Sequence, residues 1–118
     1  MSLSIRADVR IHGLRPEALL AVIVANDVCR DHSYDCQLSG GIEGIHSRTS
    51  LHYAGLAFDF TVGGIPNGAI VLVEYQRITN KLATALGPDY DVLLETTRLH
   101  IHVEYQPKRG YRTETVVN

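Results

Sequence analysis

Leu56-Ala57-Phe58-Asp59-Phe60-Thr61-Val62 is the stretch on which the fold turns. Leu56, Phe58, Phe60 and Val62 fall at every second position, and a β-strand sends alternate side chains to opposite faces, so these four form one apolar face. The other face carries Ala57, Asp59 and Thr61, a small residue beside a carboxylate. Such a strand lies with one side on a core and the other beneath a site.

Downstream the same design recurs. Residues 90–95 and 98–105 read as two strands joined at Thr96-Thr97, a connection short enough for an antiparallel hairpin. In the second strand His100, His102 and Glu104 share one face, and Leu99, Ile101, Val103 and Tyr105 share the other. Between the two regions, Gly63-Gly64 and Pro66-Asn67-Gly68 mark a turn. Val71, Tyr75, Ile78, Leu82 and Leu86 then recur at helical spacing until Gly87-Pro88 ends the pattern. Upstream, Pro16 suits a first helical position and Glu17 the positive end of the helix dipole, ahead of an apolar run to Val28. Apolar residues cover nearly the whole circumference of this first helix, which predicts that it is buried. Residues 34–38 read as a short strand, Ser39-Gly40-Gly41 through Gly44 as a loop, and the polar tail 106–118 as loosely packed. The expected fold is α+β: one domain over residues 1–118, with a small antiparallel sheet that carries a site on one face and helices on the other.

Composition narrows the function. A chain of 118 residues makes one domain, and 45% hydrophobic with 20% charged residues is ordinary globular usage. A formal charge of −2 offers no basic surplus for nucleic acid. The longest apolar run, residues 18–25, falls short of the roughly 20 residues of a membrane span, and the N-terminal stretch lacks a signal peptide's apolar region. Synthesis in a cytoplasm is expected, with work outside dependent on lysis or another release route. Cys29 and Cys36 lack the spacing of a zinc knuckle or redox pair and read as reduced structural thiols.

The histidines are more informative. If the two ligand-bearing strands are neighbours, His52, Asp59 and His102 can converge, with Gly55 letting the backbone turn tightly between the first two. Two imidazole nitrogens and one carboxylate oxygen form a zinc shell with a fourth position open, the arrangement of catalytic zinc.

Ser50-Leu51-His52-Tyr53-Ala54-Gly55-Leu56-Ala57-Phe58-Asp59 carries every fixed position of SxHxxGxAxD. It resembles the D-Ala-D-Ala metallopeptidase family, a motif shared with phage L-alanyl-D-glutamate endolysins and the hedgehog signalling domain. The SLHYxGxAxD wording is most similar to hedgehog, and Gly44-Ile45-His46-Ser47 and His100-Ile101-His102 extend the resemblance over about residues 13–105. The resemblance implies one zinc ion held by His52, Asp59 and His102, His100 as an oxyanion stabiliser and Glu95 as the general base, with Glu104 the rival for that role. Two departures stand out. Thr96-Thr97-Arg98-Leu99 separates Glu95 from His100 by more residues than is usual, and the strand before the motif, around Cys36-Gln37-Leu38-Ser39-Gly40, lacks the family's substrate-binding arginine. Arg48 can substitute or be a solvated loop cation, and Tyr53 either lines the cleft or covers the core edge. Hedgehog's calcium-binding acids are absent, since Glu43 stands alone in its loop. The implied function is a zinc peptidase acting on peptidoglycan stem peptides or crosslinks, as a phage or prophage endolysin or a virion-associated hydrolase. The alternative is a non-catalytic zinc-binding module of the hedgehog type.

Overall fold

A computed structural model describes residues 2–41 and 55–107. Its elements run β1 (Leu3–Ile5), α1 (Pro16–Asp31), β2 (Asp35–Gly40), β3 (Ala57–Gly63), α2 (Ile70–Leu86), β4 (Tyr90–Glu95) and β5 (His100–Tyr105). Among the described residues the strands form one five-stranded sheet in the order β1-β2-β3-β5-β4. β2, β3, β5 and β4 pair antiparallel in turn, whereas β1 pairs parallel with β2. The sheet is therefore mixed rather than antiparallel throughout. β1 escapes a reading by periodicity because it has only three residues, all of them exposed.

The alternation holds within β3, whereas Leu56 falls one residue ahead of the strand and is only half-buried. Phe58, Phe60 and Val62 point into a core shared with Leu38 of β2 and with Ile101 and Val103 of β5. Ala18, Ala21, Val22 and Ala25 of α1 and Tyr75, Ile78 and Leu82 of α2 close that core from the helix side. Tyr75 also ties α2 to the end of β3, since its hydroxyl accepts from the Val62 N–H at 2.9 Å. Both helices lie on the sheet face opposite Asp59 and His102.

Three features differ from expectation. β2 continues through Ser39 and Gly40, which the glycine pair had marked as loop. The β4–β5 connection is four residues, 96–99, because Glu95 pairs with His100 and the second strand begins two residues late. The third difference is α1, which is buried on one side only: Leu20 and Ile23 are 55% and 58% exposed, and Leu19 joins them. The small residues Ala18, Ala21 and Ala25 face inward and let the helix sit close to the sheet, while the larger aliphatics point away. A single helical layer covers one side of a helix, so an apolar circumference does not by itself bury it. Pro16 does occupy the first turn, and Gly87 follows the end of α2 at φ 87°. Residues 108–118 of the tail lie outside the described residues.

This packing separates two substitutions. Phe60 is fully buried, so Phe60→Ala should cost about 3–5 kcal/mol in denaturant unfolding. Ile23→Ser, on the exposed side of α1, should stay within about 0.5 kcal/mol of the parent. A large loss for Ile23→Ser would mean that this side of the helix is covered.

Candidate functional site

Strand pairing brings the chemistry together. Asp59 on β3 stands directly opposite His102 on β5, and Glu95 on β4 directly opposite His100. Paired residues on adjacent strands project to the same face, so Asp59, His100, His102, Glu104 and Glu95 line one open depression of about 330 Å³.

At its centre is His102. Its Nδ1 lies 2.8 Å from Asp59 Oδ1, and its Nε2 lies 2.7 Å from Glu104 Oε1. A carboxylate accepts and does not donate, so with both carboxylates ionised both ring nitrogens carry protons and the imidazole is charged. Burial disfavours that charge, but hydrogen bonds to Asp59 and Glu104, reinforced by their negative charges, outweigh it and hold the His102 pKa above the ordinary histidine value.

His100 is held differently. Its Nδ1 donates to the carbonyl of Arg98 at 2.5 Å, and its Nε2 stands 3.9 Å from Asp59 Oδ1. With Nδ1 committed as a donor, Nε2 is an acceptor in the neutral ring and donates only when the ring is protonated. Glu95 is exposed on the rim, and the four-residue turn takes up the extra spacing ahead of His100, leaving the two in register.

A residue the sequence reading passed over sets the position of Asp59. β2 bulges between Leu38, which pairs with Phe60, and Gly40, which pairs with Asp59. Two steps on β2 thus match one on β3. A Cβ at Gly40 would lie 2.5 Å from Asp59 Oδ2 and 3.2 Å from its Cγ, so only glycine leaves the carboxylate its place. The signal was the Gly40-Gly41 pair after an alternating segment, which marks a bulge as readily as a loop. Gly55 takes the left-handed conformation at φ 76°, and its carbonyl accepts from the Arg15 N–H at 2.7 Å, which pins the entry to α1 against the start of β3.

His52, Arg48 and Tyr53 lie outside the described residues, as do Glu43 and His46. Among the described residues, no three His, Cys, Asp or Glu side chains form a group able to hold a metal ion. The described part of the site thus contributes two neighbouring ligand-type side chains, Asp59 and His102. Cys29 and Cys36 are buried free thiols in the helix-side core, away from this face. No helix among the described residues is long and apolar enough to cross a membrane. The chain matches no model of a known protein family and no curated protein.

Two outcomes follow from this geometry. Gly40→Ala should leave the fold intact, because Gly40 is not among the positive-φ glycines, while turning Asp59 away. The His102 pKa, read by NMR titration of metal-free protein, should then fall toward 6.5, and an unchanged value would place the Asp59 carboxylate elsewhere. The raised pKa also makes stability depend on pH. Its contribution is complete below the unfolded value of 6.5 and is lost as pH rises through the higher folded value. In chelator, the gap in Tm between the parent and Glu104→Gln should therefore be widest on the acid side of neutrality and narrow in alkaline buffer. A gap that widened with pH would contradict a charged His102.

Proposed function

We propose that this chain is a zinc-dependent peptidase of the D-Ala-D-Ala metallopeptidase type, hydrolysing an amide bond in peptidoglycan stem peptides or crosslinks. The observation that carries the reading is the meeting of Asp59 with His102 at 2.8 Å on a face that also presents His100 and Glu95. Two atoms that share a tetrahedral zinc at its usual bond lengths stand about 3.3 Å apart. The pair fits after opening by about half an ångström, a side-chain adjustment. Asp59 and His102 would hold the metal together with His52, the third ligand implied by the SxHxxGxAxD resemblance. Bound there, zinc supplies a Lewis acid for the scissile carbonyl and lowers the pKa of water toward ~7.

The chain's own groups supply the rest. Glu104 orients the His102 ring by accepting from Nε2, which leaves Nδ1 toward Asp59 as the metal-binding nitrogen. Glu95 takes the proton of the attacking water and passes it to the leaving amine. His100, its ring steered by the Arg98 carbonyl, turns Nε2 toward the oxyanion of the tetrahedral intermediate as a hydrogen-bonding group. The helices lie on the opposite face and do not obstruct this one.

One observation favours the second reading, a zinc-binding module without turnover: β2, the strand beside β3, carries Asp-Cys-Gln-Leu-Ser-Gly and no arginine to hold substrate. Digestion of purified peptidoglycan with and without chelator, followed by mass analysis of the fragments, separates the two. Glu95→Gln should keep one zinc per chain and lose turnover by ~10²-fold or more. Glu104→Gln should instead bind zinc roughly 10–100-fold more weakly and regain activity when zinc is added in excess. If the parent releases no fragments while binding zinc stoichiometrically, the non-catalytic reading replaces the enzymatic one.

A further inference from the structure

Beside the Asp59–His102 pair lies a second hollow, of about 400 Å³, reached from the same face. Arg6, Ser39, Thr61 and Arg98 line it, and Asp59 and His100 form its boundary with the depression already described. Its two guanidinium groups are not equivalent. Arg6 is engaged by Asp8, with Nε and a terminal nitrogen at 2.6 and 3.1 Å from the two carboxylate oxygens. Arg98, on the turn between β4 and β5, has no side-chain hydrogen bond or ion pair among the described residues.

The turn that carries Arg98 is nevertheless held in place. The Arg98 carbonyl accepts from His100 Nδ1, and Glu95 and His100 close the turn as the last pair of the ladder. Residues 96–99, the length between Glu95 and His100, thus put an arginine without a side-chain ion pair on the wall of the hollow, two residues from the ladder's end. Hydroxyls of Ser39 and Thr61 add neutral hydrogen-bonding groups. A planar fork of N–H donors beside two hydroxyls is complementary to a carboxylate.

We propose that Arg98 anchors a substrate carboxylate in this hollow, so that the hairpin turn provides the cationic subsite that β2 lacks. The assignment rests on the peptidase reading and specifies its substrate: a peptide with a free carboxylate on the α-carbon that bears the leaving amine. Two sources share that chemistry, a C-terminal D-Ala and a D-Glu linked onward through its side chain. Arg98 is a substrate-anchoring residue and takes no part in proton transfer.

The test uses N-acetyl-D-alanyl-D-alanine and N-acetyl-L-alanyl-D-glutamate, each with that α-carboxylate free or amidated, titrated by NMR into chelator-treated protein so that binding is read without turnover. The free form of one peptide should bind about ten- to a hundredfold tighter than its amide. Whichever peptide shows the preference names the source. Arg98→Gln should abolish the preference and Arg98→Lys should restore part of it, with circular dichroism unchanged because Arg98 is an exposed turn residue. The proposal is overturned if the parent does not discriminate, absence of binding included, or if the preference survives Arg98→Gln and disappears in Arg48→Gln. Peptidoglycan digestion unaffected by Arg98→Gln would remove the anchor and leave the peptidase reading standing. Arg98-dependent carboxylate binding by a protein that digests nothing would do the reverse.

Discussion

Asp59 and His102 sit opposite each other on antiparallel strands, and they meet only while Phe58 and Phe60 on one strand and Ile101 and Val103 on the other face the helices. The two requirements are one constraint. Slipping β3 by a single residue against β5 would turn its phenylalanines to water and its carboxylate into the core, so the energy that buries the aromatic rings also holds the site in register. Nothing local could hold two residues 43 positions apart within hydrogen-bonding distance. The helices stabilise the site from the far side of the sheet without touching it.

The site face is electrostatically unfinished. Asp59, Glu95 and Glu104 bring three carboxylates to one depression, and the charged ring of His102 offsets part of that negative charge. The neighbouring hollow carries Arg98 and the Asp8-paired Arg6 on its walls as well as Asp59.

Backbone features place both charges. The bulge at Ser39 brings Gly40 across from Asp59, and the absence of a side chain there leaves room for the carboxylate. On the other side of the site, the four-residue turn carries Arg98 while keeping Glu95 and His100 paired. A turn of that length leaves the ladder between β4 and β5 unbroken.

The period-two pattern of residues 56–62 and 100–105 determined which faces of β3 and β5 are buried, because side-chain alternation is a property of the extended chain itself. It also determined that Asp59, His100, His102 and Glu104 lie on the other face. Helix limits at Pro16 and Gly87-Pro88 were legible for a similar reason, since proline and glycine act on their own backbone. What the sequence could not decide were the quantities set by neighbours: that β1 joins in parallel, that the outer side of α1 stays exposed, that Glu104 accepts from His102, and that Gly40 makes room for Asp59. Each depends on which groups lie across a strand or a layer, and a linear pattern has no term for distance through space. Only the tertiary structure could supply it.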